Sequence, residues 1–137
     1  MSMLKERLEI KKPISEVWRY LDLRRWPEIS SIFQQVQAQD DSMQVGTRFM
    51  VTAGPGETKV QYNVEIVVYD ESMGRLVYNR TGGPLPGTSE WTLIASPSGT
   101  RIDYTNHYKH DLASPVLSSI SRAMVRFLND LRLAVEK

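Results

Sequence analysis

The feature of this sequence that most limits its possible folds is a long amphipathic helix, predicted over about residues 114–135. With about 100° between successive residues, one narrow stripe of this helix is apolar and the opposite side is polar. Such a stripe needs a partner, and the strand-like segments before it form the only surface large enough. The order of elements therefore predicts an α+β fold in which a curved sheet closes over the helix and leaves a pocket between them. The apolar stripe consists of Leu117, Ile120, Met124, Phe127, Leu128, Leu131 and Val135. The polar side consists of Ser119, Arg122, Arg126 and Asn129.

Composition and charge disfavour several classes of protein. The 137 residues are about one domain long, so we predict a single domain over residues 1–137. Seventeen basic residues are balanced by sixteen acidic ones and form no dense run, which argues against a nucleic-acid partner. The absence of cysteine excludes disulfides and thiol chemistry. Charged and apolar residues alternate over residues 1–10, so we expect neither a signal peptide nor membrane insertion, and we expect a cytoplasmic location. The sequence does not predict the oligomeric state.

Alternating apolar residues predict the strands. A first strand ends before Pro13, and a short helix follows over about residues 14–22. Pro27 is expected to turn Trp26 away from helical geometry before a second short helix. Ser114 is the predicted N-cap of the long helix. Further strands are predicted at residues 32–40, 47–53, 60–68, 75–81, 89–95 and 100–110, and the loops at 54–56 and 82–87 are interpreted as hairpin closures that could also gate a pocket.

The order of strand, two short helices, six strands and long helix is that of the helix-grip fold. Residues 14–22, followed by Arg25, Trp26 and Pro27, resemble the opening of the SRPBCC superfamily, particularly its polyketide cyclase/dehydrase and lipid-transport branch. The segments VGT at 45–47, GTSEWTL at 87–93 and GTRI at 99–102 are similar to strand starts of that branch. The resemblance covers essentially the whole chain. It implies a deep, largely apolar cavity between a curved antiparallel sheet of about seven strands and the terminal helix, and it does not imply catalysis.

Several polar side chains fall on faces that the alternation turns toward this cavity. Tyr62 interrupts an aliphatic face, where its ring could simply fill the core or its hydroxyl could meet a ligand. Tyr104, Asn106 and Tyr108 share one face of the last strand. Burial of three polar groups requires partners, so these residues form either a polar cavity wall or an open rim in contact with water.

The strand at 75–81 has no clear inward phase. If Tyr78 faces the core, Arg80 follows it toward the cavity mouth, where it would favour a carboxylate, phosphate or enolate on a ligand. Charged residues are seldom buried without a partner, which favours instead an arginine solvated at the rim. Trp91 is predicted on an inward face and Trp26 on the helical side, with core packing the simpler role for both.

The two histidines do not suggest a metal centre. His107 and His110 point to opposite faces of the last predicted strand, and neither is accompanied by the three protein ligands that a catalytic zinc needs. We therefore predict no metal site and no cofactor.

The favoured function is binding, as a carrier or sensor, of a small apolar molecule that is lipid-like or aromatic. One alternative is a polyketide cyclase/dehydratase-like enzyme that uses inward tyrosines as proton donors and Arg80 and Asn106 to stabilise an enolate. Another is a protein-interaction module with a collapsed cavity. The cavity candidates are Tyr62, Tyr78, Arg80, Trp91, Tyr104, Asn106, Tyr108, Ile120, Met124 and Phe127.

Overall fold

The computed structural model describes residues 1–39, 42–54 and 59–137. Seven antiparallel strands form one sheet in the order β1-β7-β6-β5-β4-β3-β2. The predicted α+β helix-grip architecture, with short helices after the first strand and a long helix at the end, is confirmed. The elements are β1 (Ser2–Ile10), α1 (Ile14–Trp18), a 3₁₀ turn (Leu23–Arg25), α2 (Trp26–Ile29), β2 (Phe33–Ala38), β3 (Arg48–Ala53), β4 (Val60–Asp70), β5 (Arg75–Thr81), β6 (Gly87–Ser96), β7 (Gly99–Tyr108) and α3 (Ser114–Glu136).

Side-chain alternation decides which face of each strand is covered. In β7 the even positions are buried and the odd positions are partly exposed, as the sequence predicts. In β4 the inward positions include Val64 and Ile66, both almost fully buried. The register of β4 against β5 shifts between Ile66 and Val68, and a bulge of this kind bends a strand and increases its twist. The bulge therefore contributes to the curvature of the sheet.

The C-terminal half of α3 covers the core. The ring of Phe127 lies 5.0 Å from that of Trp26 and 4.7 Å from that of Phe33, centroid to centroid. Ser30, just after α2, donates a hydrogen bond of 2.6 Å to the Asp130 carboxylate and so ties the short helices to α3. The buried residues of α3 are Met124, Phe127, Leu128, Leu131 and Val135.

The start of α3 differs from the prediction. Ala113, not Ser114, is the N-cap, and its side chain forms no capping hydrogen bond. The shift is tolerated because the first N–H groups of a helix have no intrahelical partner, so Pro115 fits anywhere in the first turn. Ser119 was predicted on the polar side and instead faces the pocket, whereas the predicted stripe residue Leu117 is partly exposed and does not line it. The covered stripe thus moves around the helix between its two halves.

The segment between β1 and β2 also departs from the prediction. Helix α1 ends at Trp18, earlier than expected, and Trp26 is helical (φ −62°, ψ −35°) although it precedes Pro27. Its indole Nε1 donates a 2.8 Å hydrogen bond to the carbonyl of Tyr20, and its ring is fully buried among other aromatic rings. These contacts outweigh the steric preference of a residue before proline.

Two loop predictions have mixed outcomes. Gly87, predicted in the loop, begins β6, and β7 ends at Tyr108, two residues earlier than expected. The predicted loop at 54–56 lies outside the described residues except for Gly54, as does the end of the strand predicted at 32–40.

Candidate functional site

A pocket of about 390 Å³ lies between the inner face of the sheet and the N-terminal half of α3. Strands β4 to β7 supply one wall, and the loop before β6 closes part of the rim. The helix presents side chains from successive turns, which include Ser119 and Ala123. The apolar part of the lining is formed mainly by Phe33, Val60, Leu85, Ile120, Met124 and Phe127.

The polar part of the pocket is concentrated on neighbouring strands. Strand β5 contributes Tyr78 and Arg80, and β7 contributes Tyr104, Asn106 and Tyr108. All five are buried, at 3–8% exposure, so the phase left open for β5 is resolved with Leu76, Tyr78 and Arg80 inward. The predicted candidates that line the pocket are Tyr62, Tyr78, Arg80, Tyr104, Asn106, Tyr108, Ile120, Met124 and Phe127.

Arg80 is not solvated at the rim, and the prediction of a rim arginine is wrong. Its Nε donates to Ser89 Oγ at 3.0 Å, and its two terminal nitrogens donate to the carbonyls of Leu85 and His107, each at 2.6 Å. The guanidinium carbon lies 4.7 Å from the centre of the Tyr108 ring, a cation–π contact. These neutral partners replace water and allow the side chain to be buried.

Ser89 connects Arg80 to the polar face of β7. It is 1% exposed, accepts the hydrogen bond from Arg80 and donates one of 2.5 Å to Asn106 Oδ1. The chain Arg80–Ser89–Asn106 therefore spans β5, β6 and β7, which are adjacent in the sheet. One network thus holds an inward polar side chain from each of these strands.

The phenols of the pocket stay protonated at neutral pH. Burial is the main cause that raises the pKa of Tyr62, Tyr104 and Tyr108. The positive charge of Arg80 opposes this effect on the pKa of Tyr62 and Tyr108, and a hydrogen bond with Asn106 opposes it for Tyr104, without reversing the direction. Each phenol is consequently a hydrogen-bond donor.

Of the four tyrosines that line the pocket, Tyr62 is the one whose residue is only partly buried, whereas Tyr78, Tyr104 and Tyr108 are buried. It lines the pocket, and its hydroxyl makes no hydrogen bond with any residue of the described ranges. The core-filling interpretation of Tyr62 expects one hydrogen bond from a buried hydroxyl. Tyr62 therefore offers the pocket an unused donor.

Trp91 lies behind the pocket wall, which corrects its prediction as a cavity candidate. It is fully buried, its ring stacks on Tyr104 at a centroid distance of 3.9 Å and an angle of 15°, and Nε1 lies 3.5 Å from Tyr78 Oη. Trp26 is likewise a core residue. Both indoles support the polar wall from behind.

Sequence reasoning missed two parts of the site. Ser89 shares the inward phase of Trp91 and Leu93, so the alternation of β6 contained a signal for it. The carbonyls of Leu85 and His107 that hold Arg80 have no such signal, because any residue type supplies a carbonyl.

The side chains of the two histidines do not line the pocket. His107 Nε2 lies 3.2 Å from Glu90 Oε2 on the other face of the sheet, and His110 is exposed after the end of β7. Within residues 1–39, 42–54 and 59–137, no group of three or more His, Cys, Asp or Glu side chains is placed to hold a metal ion. In the same ranges no helix is long and apolar enough to cross a membrane.

Solved structures share this architecture over nearly the whole chain. The protein TTHA0849 from Thermus thermophilus is 17% identical, with a TM-score of 0.83 over 98% of this chain and 97% of that chain. The Zhui aromatase/cyclase from Streptomyces sp. R1128 is 13% identical, with a TM-score of 0.83 over 98% and 93%. Ginseng major latex-like protein 151 from Panax ginseng is 13% identical, with a TM-score of 0.82 over 99% and 98% in one crystal form. No protein-family model and no curated protein matches the sequence.

These similarities define the fold. The helix-grip fold predicted from the sequence is confirmed, and solved structures that include an aromatase/cyclase and a major latex-like protein share it. At identities of 13–17%, the likeness to these structures is a likeness of fold. Proteins with one fold carry out many different functions, so the fold alone assigns none to this chain.

Proposed function

We propose that this chain, acting as one domain over residues 1–137, binds a small and largely apolar organic molecule in the pocket under α3, as a carrier or sensor. The observation that supports this most directly is the pocket itself, about 390 Å³ with apolar walls and one polar end. This volume lies within the range of small-molecule sites, which combine apolar walls with a few polar groups. A lipid-like or aromatic ligand suits such walls, and a cytoplasmic location stays a prediction.

The ionisable groups of the pocket favour binding over catalysis. Efficient general acids and bases have a pKa near the working pH, whereas burial raises the pKa of the pocket phenols away from neutrality. Among the described residues that line the pocket there is no histidine, aspartate or glutamate. The pocket is thus equipped to orient a ligand through hydrogen bonds.

A polyketide cyclase/dehydratase-like activity is the second candidate. Arg80 and Asn106 meet the phenols of β7 at one end of the pocket, an arrangement suited to stabilising an enolate oxygen. A structural neighbour is an aromatase/cyclase, which makes this reaction class worth testing. Such an enzyme would convert a poly-β-ketone and lose turnover in Tyr104→Phe, whereas a carrier would bind the compound unchanged. The third alternative, a protein-interaction module, assumes a collapsed cavity, and the open pocket therefore favours ligand binding over it.

A pair of neighbouring serines provides the test of ligand binding. Ser119 lines the pocket, so Ser119→Trp would fill it from the helix side, whereas Ser118 is exposed on the outer face and Ser118→Trp is the matched control. Differential scanning fluorimetry with alkyl and aryl compounds should show ligand-induced stabilisation of the natural chain and of Ser118→Trp. Ser119→Trp should lose that stabilisation. Equal stabilisation of both variants would contradict binding in this pocket.

A further inference from the structure

We infer that the ligand is an amphipathic carboxylate whose anionic end binds Arg80 and whose hydrocarbon part lies against Ile120, Met124 and Phe127. This inference rests on the proposed function and adds the chemical class of the ligand. It depends on three properties of Arg80: its uncompensated charge, its unused donors and its position within the pocket.

The charge of Arg80 is buried without an acidic partner. Its side chain is 8% exposed, and its hydrogen-bond acceptors are a serine hydroxyl and two backbone carbonyls, all neutral. Ion pairs among the described residues involve other arginines, and Arg80 forms none of them. A buried charge that lacks a counter-charge is costly, so an anion entering the pocket gains an unusually favourable partner.

Arg80 retains capacity to bind such an anion. A guanidinium has five N–H donors, and three are used by Ser89, Leu85 and His107, which leaves two. The Tyr108 ring lies against a face of the guanidinium, whereas the N–H donors lie in its plane. Carboxylates accept in-plane hydrogen bonds from arginine, and the unpaired hydroxyl of Tyr62 supplies a further donor in the same pocket.

The charge balance favours a carboxylate over a phosphate. Arg80 is the only charged side chain among the described residues that line the pocket. One carboxylate neutralises one guanidinium, whereas a phosphate monoester carries a charge of about −1.5 to −2 at neutral pH and would leave excess negative charge against apolar walls. The hydrocarbon part then lies along the apolar lining, to which α3 contributes Ile120, Met124 and Phe127.

Matched ligand pairs test this inference directly. Octanoate is compared with octanamide, and 2-naphthylacetate with 2-naphthylacetamide, by isothermal titration calorimetry at neutral pH. Each pair keeps the hydrocarbon constant and changes only the charge. Because a hydrogen bond to a charged group is worth more than a neutral one, the natural chain should bind each carboxylate about 10- to 100-fold more tightly than its amide.

Two arginine variants assign the effect to the pocket. Arg80→Gln should reduce the carboxylate-to-amide affinity ratio to about one while amide binding persists. Arg48→Gln removes one positive charge from an exposed position on β3, where Arg48 pairs with Glu65, and should keep the natural ratio. Loss of the ratio in Arg48→Gln would attribute the preference to net charge and overturn the inference.

The remaining outcomes separate the inference from the proposed function. Equal or tighter binding of the amides to the natural chain would overturn the carboxylate inference and leave ligand binding intact. No binding of either pair would contradict both. If Arg80→Gln does not fold, Tyr62→Phe provides the second variant, because it removes a donor that makes no hydrogen bond with the described residues. Tyr62→Phe should lower the carboxylate-to-amide affinity ratio, and a ratio equal to that of the natural chain would contradict a carboxylate bound between Arg80 and Tyr62.

Discussion

Replacing Ser89 by alanine should destabilise the fold strongly, because one hydroxyl serves two buried polar groups. Ser89 Oγ accepts from Arg80 Nε at 3.0 Å and donates to Asn106 Oδ1 at 2.5 Å, and Ser89 is 1% exposed. A hydrogen bond to a charged group contributes about 1.5–3 kcal/mol and a neutral one about 0.5–1.5 kcal/mol. Ser89→Ala should therefore lower the free energy of unfolding by about 2–4 kcal/mol, since the substitution removes the side-chain partner of both Arg80 Nε and Asn106 Oδ1.

The neighbouring residue supplies the control for this prediction. Thr88 Oγ1 donates to Asn79 Oδ1 at 3.1 Å on the outer face, where water can replace it. Thr88→Val removes that hydroxyl with little change of shape and should cost no more than about 0.5 kcal/mol. Urea denaturation followed by far-UV circular dichroism measures both variants. Equal losses, or a loss below about 1 kcal/mol for Ser89→Ala, would refute the idea that Ser89 holds a buried charged network.

Three further predictions concern packing, backbone space and titration. Phe127→Ala should lower the free energy of unfolding, measured by urea denaturation, by about 3–5 kcal/mol because Phe127 is 1% exposed. Val125 is exposed, and Val125→Ala should lower it by no more than about 0.5 kcal/mol. Similar values for the two variants would contradict the assigned core. Gly87→Ala should lower the free energy of unfolding by about 1–3 kcal/mol in the same assay, because a Cβ there would lie 1.8 Å from a carbonyl oxygen of β7 and 2.8 Å from the Arg80 guanidinium. An unchanged free energy of unfolding would mean that the strands do not lie this close together. Burial raises the pKa of Tyr62, so the phenol ionises at a lower pH in the unfolded chain than in the folded one, and the free energy of unfolding should fall as pH rises above about 10. Tyr62→Phe should show a smaller fall over the same pH range. An identical fall would contradict the burial of this hydroxyl.

The regular elements were predictable because their periodicities are direct consequences of backbone geometry. Alternation in β7 correctly placed Tyr104, Asn106 and Tyr108 on one inward face. The helical period correctly identified the core residues of α3 from Met124 to Val135. Both inferences need only the directions in which successive side chains leave a strand or a helix.

The failures arise where contacts from distant segments decide the outcome. Arg80 is buried because two backbone carbonyls and a serine surround it, and no pattern within β5 contains that information. The strand is also ambiguous by itself, since Leu76, Val77 and Tyr78 are all buried. Ser119 was misplaced because the period was averaged over the whole of α3, whereas its first half faces the pocket and its second half the core.

The central claim is that the pocket binds a small amphipathic molecule, and native mass spectrometry of freshly purified protein tests it most directly. We expect a species heavier than the bare chain, which releases one small organic acid on denaturation. Ser119→Trp should abolish this species, whereas Ser118→Trp should retain it. A natural chain that is found bare and takes up neither octanoate nor 2-naphthylacetate would contradict the claim.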